Sequence, residues 1–318
     1  MTRPRPSRLV LPGAGAMSAD RPLLGILLML GFCVLAPLGD GVAKVLGQTM
    51  PISQLIVIRF AAQAIILLPI VWATGRVWRM RPPILALAFL RTLLHIAGIG
   101  FMFTALRYLP LADAVAIAFV MPFIMLLLGW LVLGEEVGPR RLAACAVGFA
   151  GTMMVVKPSF AEVGAPALLP LGVAVTFALF MLVTRRIAKE VDPISLQAVN
   201  GVMAVLLAAP FLWVTSRLDI PYLQLVTPSG REWLLLAAIG AIGTFAHLLM
   251  TWSLRFAPSA TLAPMQYLEI PFATAIGWLM FHDLPDGLAA LGIAVTVASG
   301  LYIVFRERAM SRAAPPAI

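Results

Sequence analysis

Charged side chains occupy only 12% of the 318 positions and hydrophobic ones 61%, so the chain lacks the polar surface that a domain of this length needs in water. That shortage excludes an ordinary soluble globular protein. Cysteine is nearly absent as well. Cys33 and Cys145 each sit in an apolar run without metal-ligating neighbours, which excludes a disulfide scaffold and reads as two inert packing residues. There are three histidines without HExxH spacing, no GxxxxGK[ST] loop and no GxSxG elbow. Those absences exclude zinc-protease, P-loop and serine-hydrolase chemistry. No catalytic group, metal or cofactor is expected. The net charge of +9 comes from basic residues scattered among short loops rather than from a patch interleaved with aromatics, so nucleic acid is not an expected partner.

What the chain does have is ten largely apolar stretches of about 18 to 24 residues, each long enough to span a bilayer as a helix. We place them at 23–46, 52–73, 83–106, 111–133, 139–156, 167–184, 194–214, 233–254, 259–281 and 285–305. Pro51, Pro82, Pro83, Pro110, Pro139, Pro193, Pro258 and Pro285 stand at or near their starts, where a missing N–H costs least. Residues 1–21, with Arg3, Arg5, Arg8 and Arg21 amid Pro, Gly and Ser, read as a disordered basic tail with no cleavage site after the first apolar run. Residues 307–318 read as a short C-terminal tail. Sixteen of the 23 Lys and Arg fall on the side that holds both termini and five on the other, with Arg59 and Arg91 inside helices. By the positive-inside rule both termini are cytoplasmic. Membrane lipid is therefore an expected partner, and the bacterial inner membrane the expected location.

The sequence also repeats. Leu106-Arg107-Tyr108-Leu109-Pro110 matches Leu254-Arg255-Phe256-Ala257-Pro258, and Gly129-Trp130 matches Gly277-Trp278, at a common offset of 148 positions. With one residue of slip Pro122-Phe123 matches Pro271-Phe272, Gly138 matches Gly287 and Gly151 matches Gly300. The expected architecture is an all-α polytopic membrane protein with ten helices in two five-helix repeats, 22–157 and 167–306, joined by a linker at 158–166. Five is odd, so the second copy enters the membrane inverted, as in alternating-access carriers with a midplane site.

Ile58-Arg59-Phe60, the Ala105–Pro110 segment, Leu133-Gly134-Glu135, Gly148 and Gly151, and in the second copy Leu254 to Pro258, Glu269-Ile270-Pro271 and Phe281-His282-Asp283 resemble the drug/metabolite transporter superfamily. The resemblance is to its ten-helix EamA-type branch and covers about residues 23–306; His-Asp replaces Gly-Glu at the end of the second copy. It implies transport of a small metabolite such as an amino acid, S-adenosylmethionine, riboflavin or a drug. It also implies a central cavity lined by the first, third, fourth, sixth, eighth and ninth helices.

Ionisable residues inside the spans mark candidate sites, because each costs roughly 2.5–3.5 kcal/mol at the bilayer centre unless paired or hydrated. Glu269, near the middle of the ninth span, with Gln266 three residues earlier on the same face, forms a polar stripe that suits ligand binding or proton coupling. The bland alternative is glue between helices. On the third span Arg91, His95, Gly98 and Met102 share a face, with Arg91 either reaching to the interface or touching ligand. His247 lies one turn from the repeat equivalent of His95, so the two histidines are expected to approach one central space, as ligand contacts or as packing residues. Asp40 and Lys44, four apart on the first span, are positioned to pair, and Pro37 before them to open that helix, which leaves a gating role for Asp40. Arg59 with Gln63, and Gln197 with Asn200, read as structural stripes on peripheral helices. Glu135, Glu136, Arg140 and Arg141 read as a solvated rim.

The leading function is secondary transport, with protons the simplest drive. An intramembrane enzyme needs a nucleophile beside a base, and a passive channel needs rings of like charge; the sequence shows neither. The Gly148/Gly151 pair and the tryptophans do not separate internal packing from a dimer contact.

Overall fold

The computed structural model describes residues 22–121, 123–124, 139–188, 190–218, 220, 223–257, 262 and 265–313; within these, side chains at 22, 139–142, 145, 303, 304 and 306–313 are not described. The basic tail at 1–21, the Leu133-Gly134-Glu135 motif, the Glu135/Glu136 rim and the side chains of Arg140, Arg141 and Cys145 lie outside the described residues.

Ten α-helices and no strand are found among the described residues. They are α1 (Pro22–Leu46), α2 (Ile52–Ala73), α3 (Pro82–Ala105), α4 (Leu111–Ala118), α5 (Pro139–Val163), α6 (Leu169–Ile187), α7 (Pro193–Thr215), α8 (Gly230–Phe256), α9 (Glu269–Phe281) and α10 (Gly287–Ala313), with a short 3-10 turn at Ala165–Leu168 before α6. Proline opens α1, α3, α5 and α7, where its missing N–H is one that a first turn leaves unpaired anyway. Asp192 caps α7 by accepting from the Ser195 N–H, and Ser229 with Glu232 forms a reciprocal capping box at α8. That box starts α8 three residues before the apolar run suggests. α5 continues to Val163 through most of the expected linker, and Gly164, at φ 70°, ends it in a left-handed turn.

Six of these segments are long and apolar enough to cross a bilayer: Leu23–Leu46, Ile52–Ala73, Pro82–Ala105, Ala165–Ile187, Pro193–Thr215 and Gly230–Phe256. Their outer faces carry large apolar side chains; Ile65, Trp72 and Leu234 are each 71% exposed. Such a surface is costly in water and natural in lipid. Trp72, Trp213 and Trp233 are exposed near helix ends, as tryptophans at a lipid headgroup level are.

Contacts between the chain's two halves pair α1 with α8, α2 with α7, α3 with α6, α4 with α9 and α5 with α10, and also α2 with α8, α1 with α9, α3 with α7 and α4 with α6. Lipid tails are as apolar as leucine, so close approach rather than apolar burial must hold such pairs. Small residues supply it. A Cβ on Gly240 of α8 would fall 2.3 Å from the Ala62 Cβ of α2, and one on Gly25 of α1 2.5 Å from the Ala257 Cβ. Gly148 faces Phe123 and Gly151 faces Gly292 and Thr296 of α10, so both glycines serve packing within the chain.

Two helices break at matched places. After α4 the Val120 N–H donates to the Ile117 carbonyl and the Ile124 N–H to the Val120 carbonyl; before and within α9 the Leu268 N–H donates to Met265 and the Phe272 N–H to Leu268. Each bond of the first pair recurs 148 positions on. Pro271 has no N–H to offer the Tyr267 carbonyl, which instead accepts from Ile270 at 3.3 Å, so a tight turn replaces the α-helical one. This corrects the sequence expectation of one unbroken ninth span with Glu269 at its middle: Glu269 is the first residue of α9. Pro37, by contrast, sits inside an α1 that runs unbroken from Pro22 to Leu46, because one lost backbone bond is tolerated where neighbouring helices hold the chain.

Gly292→Ala is expected to destabilise the fold by about 1–3 kcal/mol through overpacking, since the new Cβ would meet the Gly151 carbonyl oxygen at 2.5 Å. Gly287→Ala, with nothing within 4 Å of the added carbon, serves as control. Equal thermal midpoints of the two variants in detergent would refute the glycine seam.

Candidate functional site

A cavity of about 110 Å³ lies among the helices. Its wall takes Asp40 and Phe32 from α1, His95, Gly98 and Met102 from α3, Val115 from α4, Phe177 from α6, Gly243 and His247 from α8, and Gln266 and Glu269 at the start of α9. These are the six helices that the family resemblance implies. α2 adds Arg59, which the sequence reading assigned to a peripheral structural stripe.

Arg59 reaches inward because Gly243 makes room for it. A Cβ at that glycine would fall 2.7–2.9 Å from Nε, Cζ and Nη2 of the guanidinium. The guanidinium is buried, packs 5.3 Å from the Phe60 ring centroid, and leaves one terminal nitrogen without a partner. Asp40 and Glu269 line the same cavity, and Asp40 interacts electrostatically with both Arg59 and Glu269. The wall therefore sets two carboxylates against one guanidinium. The expected Asp40–Lys44 pair does not form. Lys44 instead bridges to Asp283, after α9, at 2.9 Å and lies 4.7 Å over the Phe281 ring, because Asp40 turns into the cavity while Lys44, one turn on, reaches the rim.

The two histidines meet. His95 Nε2 lies 3.2 Å from His247 Nε2, and His95 Nδ1 lies 3.0 Å from Asn200 Oδ1. Phe60 and Phe180 flank the His95 ring at 5.0 and 4.8 Å between centroids, and Phe32 lies 6.0 Å from His247. Behind this pair Asn200 Nδ2 donates to Thr92 Oγ1 at 2.8 Å, Thr92 Oγ1 donates to the Ala88 carbonyl, and Gln63 Nε2 donates to the Gln197 carbonyl at 2.7 Å. The Gln63, Gln197 and Asn200 stripes are thus the interhelical hydrogen bonds that the sequence suggested, and they hold His95.

Arg91 lies outside the cavity wall. It is fully buried, donates from Nε to Thr184 Oγ1 at 2.9 Å and stacks 4.4 Å over Phe180, with both terminal nitrogens unpartnered. It does not extend to the interface. Of the sequence candidates, Glu269, Gln266, His95, His247 and Asp40 come together around the cavity and Arg91 stands one layer behind. Sequence reasoning missed Arg59 as a lining group; a lone arginine mid-helix with a glycine-rich partner helix is the signal that points to it. Cys33 is buried and donates to the Met265 carbonyl at 3.2 Å, in keeping with a packing role. Among the described residues no group of three or more His, Cys, Asp or Glu is placed to hold a metal ion.

Apolar spanning helices around an internal cavity, lined mainly by apolar side chains with a few ionisable ones among them, define an integral membrane protein. The EamA-like transporter family model matches residues 23–157 and again 165–306, and the chain belongs to that family. Among similar proteins, the riboflavin transporter of Brucella anthropi is 28% identical over 225 residues, covering 71% of this chain and 78% of that one. The S-adenosylmethionine uptake transporter of Rickettsia prowazekii is 23% identical over 288 residues, covering 90% and 94%. A solved crystal structure aligns over 92% of this chain and 99% of its own with a TM-score of 0.62 at 20% identity, a likeness of fold.

Arg59→Gln removes the only guanidinium on the described cavity wall and is expected to cost about 1–3 kcal/mol of stability, the typical range for leaving buried polar groups without a partner. Adding Asp40→Asn should recover part of the loss. Additive losses in the double variant, read by thermal unfolding, would show that the two groups do not interact across the cavity.

Proposed function

We propose that this chain is a secondary transporter that moves a small organic metabolite across the bacterial inner membrane by alternating access, with both termini in the cytoplasm. The observation that carries the reading is the cavity wall, to which both halves of the chain contribute and onto which Glu269, Asp40, Arg59 and His247 open. The two halves act as inverted copies. Support comes from the helix pairing, in which exchanging the copies maps α1–α8 onto α6–α3, α2–α8 onto α7–α3 and α1–α9 onto α6–α4, and maps α2–α7, α4–α9 and α5–α10 each onto itself. The turn hydrogen bonds that recur at the offset of the sequence repeat give further support. Broken helices facing a midplane cavity are a common way for carriers to place helix ends and carboxylates against cargo.

The cargo is cationic or rich in hydrogen-bond donors. Two carboxylates and one guanidinium on the wall leave an excess of negative charge for a ligand or a proton to balance. Relatives named for S-adenosylmethionine and riboflavin set the size class, and the charge balance favours the former chemistry. A cavity of about 110 Å³ is smaller than the roughly 300–1,000 Å³ of pockets that enclose drug-sized ligands, so the walls must part to admit such cargo. Glu269, at the N-terminus of a helix inside the bilayer and without a hydrogen-bonding side chain on it among the described residues, is the proposed carrier of the coupling proton.

Reconstituted protein is expected to catalyse saturable counterflow of S-adenosylmethionine or a related amine-bearing metabolite in liposomes. Glu269→Gln is expected to abolish uptake driven by a pH gradient while sparing exchange. Gradient-driven uptake unchanged in that variant would remove Glu269 from coupling, and hydrolysis of lipid or peptide in place of flux would overturn the carrier reading.

A further inference from the structure

The hydrogen bonds behind the histidine pair fix which nitrogens carry hydrogen. The Gln197 carbonyl can only accept, so the side-chain atom of Gln63 that lies 2.7 Å from it is the amide nitrogen, Nε2. The second hydrogen of that nitrogen has two acceptors in reach, Asn200 Oδ1 at 3.3 Å and Gln197 Oε1 at 3.4 Å; an amide nitrogen at the nearer point would face Nε2 with no lone pair to offer, so the Asn200 atom there is its oxygen, with Nδ2 turned to Thr92. The same oxygen is 3.0 Å from His95 Nδ1, which must then carry hydrogen. Asn200 Nδ2 points the other way and donates to Thr92 Oγ1, whose own hydrogen goes to the Ala88 carbonyl, so every link agrees in direction. A neutral imidazole has one N–H, which leaves His95 Nε2 as an acceptor. His247 Nε2, 3.2 Å away, supplies the hydrogen. His247 Nδ1 is left as a bare lone pair. That atom is buried without a hydrogen-bond partner, on a side chain that lines the cavity and is 8% exposed.

We propose that Gln63, Asn200 and His95 hold His247 in the tautomer whose Nδ1 is an acceptor, and that this atom receives an N–H or O–H hydrogen of the cargo. Gln63, Asn200 and His95 are positioning residues and His247 is the contact. An orphaned acceptor in hydrocarbon surroundings carries a penalty of about 1–3 kcal/mol, relieved when a donor enters. The second half of the proposal rests on the carrier reading; the first half does not. The acceptor adds to the two carboxylates on the wall, so that beside the Arg59 guanidinium the cavity mainly offers acceptors to a ligand that brings hydrogens. An ammonium or an amine-bearing metabolite meets that requirement, and a polyanion does not.

The test uses the full chain in lipid nanodiscs with ring-¹⁵N histidine. Three histidines contribute signals, and His282→Asn with His247→Asn assigns them. The expected spectrum shows His95 with hydrogen on Nδ1 and a bare Nε2, His247 with hydrogen on Nε2 and a bare Nδ1, and a coupling across the Nε2–H···Nε2 bond. Hydrogen on His247 Nδ1, or on both nitrogens of His95, overturns the tautomer assignment whether or not anything is transported. For the contact, S-adenosylmethionine is the probe. Asn at 247 places an oxygen where Nδ1 stood, whereas Gln keeps a donor toward His95 and offers no acceptor at that point. His247→Gln is expected to lose about tenfold more affinity than His247→Asn, the worth of about one hydrogen bond. Equal losses in the two variants overturn the contact and assign His247 to packing. A wild-type protein that carries no metabolite, yet shows the expected tautomers, would fail the carrier reading alone.

Discussion

Hydrocarbon offers no hydrogen bonds, and every other feature of this chain follows from that constraint. Backbone groups satisfy one another by forming helices. Polar side chains have only each other, the backbone or an enclosed cavity to turn to. The molecule uses all three. Thr92, Thr104, Thr176, Thr184, Thr244 and Thr251 each return their hydroxyl hydrogen to a carbonyl one turn earlier, which makes them harmless to an apolar helix. Gln63 bonds Gln197 and Asn200 between α2 and α7, and Asn200 in turn holds His95 of α3. The polar side chains that line the cavity are Asp40, Arg59, His95, His247, Gln266 and Glu269, while Gln63 Oε1 and both terminal nitrogens of Arg91 stay unpaired among the described residues behind its wall.

Most of the architecture was legible before any coordinates. Apolar length and proline punctuation located α1, α2, α3, α6, α7 and α8 to within about three residues at each end, because span length is set by the bilayer and Pro has few tolerated places in a helix. By contrast, α5 and α10 run well past their expected ends and α9 begins well after its expected start. The capping box at Ser229 was overlooked, so α8 starts earlier than its apolar run. The break before Glu269 was also missed. Pro271 was on view two residues beyond it, yet Pro37, Pro69 and Pro210 lie inside continuous helices, so proline alone does not say which helix will turn.

The site was legible in part. Isolated titratable residues in apolar spans stand out, and the repeat offset linked His95 with His247. Rotation about each helix axis does not. Arg59 and Arg91 look alike in sequence, each a single cation in an apolar span, yet one lines the cavity and the other lies behind Phe180. The difference comes from partner helices: Gly243 leaves room beside Arg59, while Thr184 and an aromatic face receive Arg91. Lys44 shows the same limit, since a partner 239 positions away outcompetes the aspartate one turn before it.

α5 and α10 supply none of the cavity-lining residues described here. They meet each other backbone to backbone, with Gly151 against Gly292, off to one side of the chamber. One of the joints between the halves is therefore written apart from the residues that line the chamber. Side chains around the chamber can change, and a new chemical trade be taken up, with that one joint left as it is.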